Sequence, residues 1–160
     1  MPAEKILTDE MIAEIKAFFP RYPSRQAVTL PALHIVNDKL RCVPRQAVVE
    51  IAALLGLAPA QVQDTLTFYG YFKQDAPHGR CRLWVCRSIA CALRGADGLL
   101  DHLSHKLRVE PGETTPDGRV TLEYAECLGA CEHAPCILAD KQLLTSVSHD
   151  QADQFVKALT

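Results

Sequence analysis

Strong charge of either sign is missing from this 160-residue chain: 17 lysines and arginines against 19 aspartates and glutamates leave a formal net charge of -2. The basic residues are scattered rather than striped and the pI is near 6.3, so the chain has no electrostatic footprint for nucleic acid. Long apolar runs are missing too. The longest, Ala47–Ala58, is interrupted by Glu50 and falls far short of the roughly 20 residues a membrane helix needs. No direct membrane insertion is expected, and any work at a membrane would be that of a peripheral subunit. No N-terminal apolar stretch with a cleavage site marks the chain for secretion. Seven cysteines are an odd number for a disulfide framework, and a reduced, cytoplasmic setting fits better. There is no Gly-x-Gly-x-x-Gly after a strand and no P-loop, hence neither a dinucleotide nor a nucleotide fingerprint. Internal repeats and low-complexity tracts are also absent.

What is present is cysteine in a pattern. Cys86-x4-Cys91, in RLWVCRSIACALRG, and Cys127-x3-Cys131, in LEYAECLGACEHAPC, form two local pairs. A [2Fe-2S] core offers each of its irons one pair of protein sulfurs in tetrahedral geometry, and two local pairs meet that demand. Gly129 lets the second loop turn close to the bridging sulfides. Structural zinc is the strongest rival, because all-cysteine zinc sites use C-x2-4-C spacing and the same tetrahedral shell. Burial as plain apolar residues is a third reading, since free cysteine is among the most often buried residue types.

The chain divides at the turn-rich stretch Lys73-Gln-Asp-Ala-Pro-His-Gly79. Before it the periodicity is helical. Thr8 caps a first helix carrying Met11, Ile12, Ile15, Phe18 and Phe19, which Pro20 and Pro23 end. Ser24 caps a second helix to about Leu40, in which Pro31 is expected to shift or bend the chain. A third helix has Pro44 in its first turn, buries Val48, Ile51, Ala52 and Leu55, and ends at Gly56; a fourth starts at Pro59 with Val62, Leu66 and Tyr69. These four make a small bundle with no catalytic constellation, and its lone His34 reads as a surface or core residue rather than a ligand.

After the boundary the period becomes two. Arg82 to Cys86 alternates as a strand, a helix runs from about Ala92 to Leu107 with Gly95 and Gly98 weakening it, and Pro111–Gly118 is a loop. Arg119–Tyr124 is a second strand, Cys136–Ala139 and Leu143–Val147 form a hairpin about Asp140-Lys141-Gln142, and a last helix carries Phe155, Val156 and Leu159. The order is β-α-β-β-β-α. Each cysteine pair follows a strand, so parallel pairing of those strands would bring both loops to one sheet end. The same order invites comparison with thioredoxin, but the Cys-x-x-Cys of a dithiol oxidoreductase does not occur; Cys86 and Cys91 could pair as a disulfide only if a cluster were lost.

Nearly the whole chain resembles the thioredoxin-like [2Fe-2S] subunit of NADH:quinone oxidoreductase, the respiratory NADH dehydrogenase known as complex I. The resemblance rests on both cysteine pairs, Thr67-Phe68-Tyr69, the loop from Val109 through Pro-Gly-Glu-Thr-Thr-Pro-Asp-Gly118, and Cys127-Leu-Gly-Ala-Cys131 followed by Ala134-Pro135. It implies an α+β or α/β architecture: a small helical docking bundle over 1–74, then a thioredoxin-like [2Fe-2S] ferredoxin domain over 79–160. It also implies one [2Fe-2S] cluster on Cys86, Cys91, Cys127 and Cys131, with no catalytic residue in this chain. FMN and NADH would bind only in a partner flavoprotein subunit, the large iron-sulfur subunit of the complex would be a second neighbour, and the assembly would place the chain at the cytoplasmic side of the membrane. Similar subunits occur in NAD-dependent formate dehydrogenases and hydrogenases; the Pro-Gly-Glu-Thr-Thr-Pro-Asp-Gly loop looks more like the respiratory enzyme. The structural zinc module is the alternative from another class. Cys42 and Cys136 depart from the family pattern, and Cys136 competes with Cys131 for the fourth ligand position.

Overall fold

The computed structural model describes residues 5–159 and divides into two compact units, Met1–Pro77 and His78–Thr160. Residues 1–4 and 160, which the expected domains include at their outer ends, lie outside the described residues.

In the first unit α1 (Asp9–Lys16), α2 (Thr29–Leu40), α3 (Arg45–Leu55) and α4 (Pro59–Phe68) surround one apolar core. Thr8 accepts the Met11 N–H at 3.2 Å and starts α1. Ser24 accepts the Ala27 N–H at 3.3 Å, but it opens a 3₁₀ turn, Gln26–Val28, and α2 begins only at Thr29. Pro31 thus sits in the first turn of α2, where a missing N–H costs nothing, and the helix runs through it. Pro44 is the extended residue before α3 rather than part of its first turn. Ile15, Leu33, Ile51 and Val62 are among the residues fully buried where the helices meet, and each such side chain contributes about 1.5–3 kcal/mol of burial.

In the second unit β1 (Cys81–Cys86) leads through α5 (Ile89–Leu93) and α6 (Ala96–Leu107) to β2 (Val120–Ala125). A 3₁₀ turn at Cys131–His133, strands β3 (Ile137–Ala139) and β4 (Gln142–Leu144), and α7 (His149–Ala158) complete it. The sheet order is β2-β1-β3-β4. β1 and β2 are parallel, with Cys81 opposite Val120 and Cys86 opposite Ala125, while β3 runs antiparallel to β1 and to β4. Leu83, Val85 and Leu122 bury against Leu99 and Leu103 of α6 and Ala152 of α7. On the opposite face the buried Arg82 donates from Nε to Glu123 at 2.7 Å, a pair that ties β1 to β2.

In the first unit α1 also ends at Lys16, ahead of Phe18 and Phe19, and in the second unit two elements differ from the sequence expectation. The helix expected over Ala92–Leu107 is broken: α5 ends at Leu93, and Gly95, at φ +90°, takes a left-handed conformation that opens α6 as a new helix. The hairpin's return strand stops at Leu144 instead of reaching Val147. Ser146, at φ +51°, gives its N–H to the His133 carbonyl at 2.6 Å, and Val147 gives its own to Pro135 at 3.0 Å, so the chain leaves the sheet. At the sheet's outer edges β2 is lined by residues 112–115, with Leu122 N–H donating to the Glu113 carbonyl at 3.0 Å, and β4 is three residues long.

Glu50 of α3 holds the N-terminal segment to the first unit. Its carboxylate accepts the Ile6 N–H at 2.9 Å, the Leu7 N–H at 2.7 Å and the Gln46 side-chain amide at 3.1 Å. Burial alone raises its pKa, but these donors outweigh burial and hold the carboxyl below its ordinary range. Such a group stabilises the fold above its unfolded pKa of about 4.3 and loses that contribution as pH falls through the lower folded value. Glu50→Gln is expected to reduce unfolding free energy at pH 7 by about 1 kcal/mol. Denaturant titrations at descending pH should show the gap to wild type closing below about pH 4.

Candidate metal centre

The register of β1 and β2 brings both cysteine loops to the same end of the sheet. Cys86 is the last residue of β1, opposite Ala125, and Cys127 follows Ala125 by two positions. Past Cys86 the chain turns at Ser88 into α5, which carries Cys91; past Cys127 it turns at Gly129, φ +78°, and reaches Cys131 at the start of the 3₁₀ turn. A residue with a Cβ would be strained at that glycine. Neighbouring residues latch the loops: Arg87 donates from Nε to Glu126 at 3.1 Å, gives its backbone N–H to the Ala125 carbonyl at 2.9 Å, and stacks 3.9 Å from the centre of the Tyr124 ring. Arg87 holds the Glu126 carboxyl below the usual carboxylate range.

The four thiols expected as ligands lie at that sheet end as two neighbouring pairs, Cys86 with Cys91 and Cys127 with Cys131. Cys86 and Cys91 are each 2% exposed, whereas Cys127 and Cys131 lie at the surface. Burial pushes the Cys91 thiol up to about 12, contact with Cys86 adds to this, and the Cys136 backbone N–H, which faces the Cys91 sulfur, pulls the other way. The Cys131 thiol is raised by its hydrogen bond with Cys127, by the charge of Cys127 and by some burial, and it also senses Cys86 across the gap between the pairs. Thiols held in this way bind metal by giving up protons. Among the described residues no three His, Cys, Asp or Glu side chains close on a single point. Paired thiols suit a two-iron core, in which each iron takes two protein sulfurs and the sulfides supply the rest.

The remaining cysteines take different places. Cys42 is buried in the first unit, and Cys81 begins β1, about 17 Å along the strand from Cys86. Cys136 stands at the site, 1% exposed and just ahead of β3. His34 contacts the rings of Tyr71 and Phe72 at 5.3 and 5.0 Å and holds no ligand position. The Arg87–Glu126 latch was not foreseen from the sequence, although a parallel register with one residue immediately after Cys86 and the other immediately before Cys127 is the signal for it.

The sequence profile described as "Thioredoxin-like [2Fe-2S] ferredoxin" matches residues 15–160. An NADH-quinone oxidoreductase E-type subunit of Rhizobium meliloti, the second of that type, is 42% identical over 125 residues, 78% of this chain and 74% of that one. NADH-quinone oxidoreductase subunit 2 of Thermus thermophilus is 39% identical over 121 residues, 74% of this chain and 66% of its own length. The NADH-quinone oxidoreductase E-type subunit of Mycobacterium tuberculosis is 32% identical over 146 residues, 91% of this chain and 58% of its own. The chain thus spans about two thirds or less of the last two. Among solved structures, an NAD+-reducing [NiFe]-hydrogenase in the air-oxidized state superposes with a TM-score of 0.71 at 24% identity, over 82% of this chain and 22% of that one. That likeness shows the fold: helices with a mixed four-stranded sheet of the thioredoxin-like [2Fe-2S] type.

The burial pattern makes the thiols distinguishable in solution. In metal-free, reduced chain, pulsed alkylation read by peptide mass spectrometry is expected to label Cys127 and Cys131 first, ahead of the five buried thiols. Equal labelling of Cys91 and Cys131 would contradict the arrangement.

Proposed function

The chain belongs to the thioredoxin-like [2Fe-2S] ferredoxin family, and from that premise we propose that it is the electron-carrying subunit of an NADH-quinone oxidoreductase, with Cys86, Cys91, Cys127 and Cys131 as ligands of one [2Fe-2S] cluster. The observation that carries the ligand set is the parallel register that brings the loops of both thiol pairs to one end of the sheet. Such a cluster supplies one-electron redox chemistry, tuned by hydrogen bonds, charge and exposure. The chain's own residues supply the rest. Cys86 and Cys91 form a floor shielded from water, Cys127 and Cys131 form the solvent-facing side, and the Arg87–Glu126 pair keeps the loops from parting.

NADH oxidation itself is assigned to a partner. The sequence lacks a dinucleotide fingerprint, so NADH and FMN are placed in a flavoprotein subunit with which this chain exchanges electrons, and the large iron-sulfur subunit is proposed as a second neighbour. Residues 1–74, a bundle without catalytic groups, are read as the docking module. No helix among the described residues is long and apolar enough to cross a membrane, which is compatible with a peripheral cytoplasmic position held through the complex. The equivalent subunit of an NAD-linked hydrogenase or formate dehydrogenase is the second reading; the hydrogenase likeness supports the fold it would need.

Chain purified without oxygen is expected to carry about two irons and two acid-labile sulfides and to become EPR-active on one-electron reduction. Stoichiometric zinc in place of iron would refute the ligand assignment. Cys131→Ala should lose or severely destabilise the cluster. The isolated chain should show no NADH-dependent reduction of artificial acceptors, gaining it only in complex with a flavoprotein; turnover by flavin-free chain would place the NADH site here instead. Deleting residues 1–72 should leave a cluster-bearing remainder that no longer co-purifies with the flavoprotein.

A further inference from the structure

We propose that Cys136 is the positioning residue of the thiol site, a junction that holds both ligand loops through its carbonyl and its sulfur without being a ligand. This rests on the ligand set proposed above. Two groups of Cys136 reach two parts of the site. Its carbonyl accepts the Cys86 N–H at 3.0 Å, extending the β1–β3 ladder by one bond. Its thiol lies 3.3 Å from both the Ala130 and the His133 carbonyls and shares its one proton between them.

Those two carbonyls bracket the turn that presents Cys131. The Ala130 carbonyl also accepts the His133 N–H at 3.0 Å, and the His133 carbonyl also accepts the Ser146 N–H at 2.6 Å. Cys136 therefore reaches into the Cys131 turn with its side chain while its carbonyl holds the amide of Cys86. A side chain of similar bulk but without a donor would fill the space and leave the carbonyls one donor short. A serine hydroxyl would restore a donor. The sulfur borders the Cys91 thiol, but its proton is committed to the Ala130 and His133 carbonyls, which is the ground for placing it beside the cluster rather than on it.

The test compares Cys136→Ser, Cys136→Val and Cys136→Ala in the full chain. All three are expected to retain about two irons and wild-type EPR g-values. Under an iron chelator, visible absorbance should fall about fivefold faster in the Val and Ala variants than in wild type, a ratio worth about 1 kcal/mol at 1.4 kcal/mol per decade. The Ser variant should stay near the wild-type rate. A Ser variant as labile as the Val variant would overturn the donor role, and so would three variants all as slow as wild type. Shifted g-values in the Ser variant, the mark of an oxygen ligand, would make Cys136 a ligand and overturn the proposal from the other side. A second readout does not depend on the cluster. In metal-free reduced chain, amide exchange at His133 and Ser146 should accelerate in the Val variant and stay near wild type in the Ser variant; equal exchange in both would also overturn it. If the chain bound zinc and no iron, the electron-carrier reading would fail while this exchange comparison still decided the role of Cys136.

Discussion

The parallel pairing of β1 with β2 is the constraint on which the second unit depends. Parallel neighbours end at the same edge of a sheet, so whatever follows one strand must meet whatever follows the other. Here the register sets Cys86 against Ala125, and a shift of two residues would carry Arg87 away from Glu126 and separate the thiol pairs by about 7 Å. The register is held from both faces. Leu83, Val85 and Leu122 bury on one side, and the Arg82–Glu123 pair crosses the other. Breaking a buried charged pair by removing one partner is far more costly than losing an exposed one, so the pair resists slippage even where it adds little net stability.

The loops above that sheet end are organised mainly by backbone carbonyls. Those of Ala125, His133 and Pro135 each accept a donor from a separate segment of the chain, and that of Ala130 closes its own 3₁₀ turn by accepting the His133 N–H. Loops built this way bury few apolar side chains, and their shape depends on completing a set of hydrogen bonds whose loss leaves acceptors unmet. This is why single residues matter there out of proportion to their size: Gly129 provides a left-handed turn, and Ser146 provides one N–H at the point where the chain leaves the hairpin.

Most of the architecture was legible because it follows from periodicity and punctuation. Thr8, Pro44, Gly56 and Pro59 bound helices whose apolar stripes recur every three to four residues, and the alternation of Arg82–Cys86 and Arg119–Tyr124 marked the two strands that matter most. The thiol pairs were legible because each follows a strand. The rest could not be read from pattern alone. The break at Gly95 is a local left-handed turn at a glycine that the sequence marks only as weakening the helix, and the short return strand is set by long-range bonds to carbonyls of His133 and Pro135, distant in sequence from Ser146 and Val147. The sequence marks Cys136 as a thiol close to the site, but its hydrogen bonding depends on where the Ala130 and His133 carbonyls point. Pro31 misled because its effect depends on whether it falls in a first turn or a helix interior, and the helix began later than Ser24 indicated.

The two rims of the sheet carry a further implication. Unpaired strands are templates onto which other chains can add, and proteins protect themselves by covering or shortening them. One rim here is lined by residues 112–115. The other is β4, only three residues long, entered from the tight turn at Asp140 and left by the chain at Ser146, both in left-handed backbone. A foreign strand finds too short a ladder to grip, so neither rim of this sheet invites edge-to-edge aggregation.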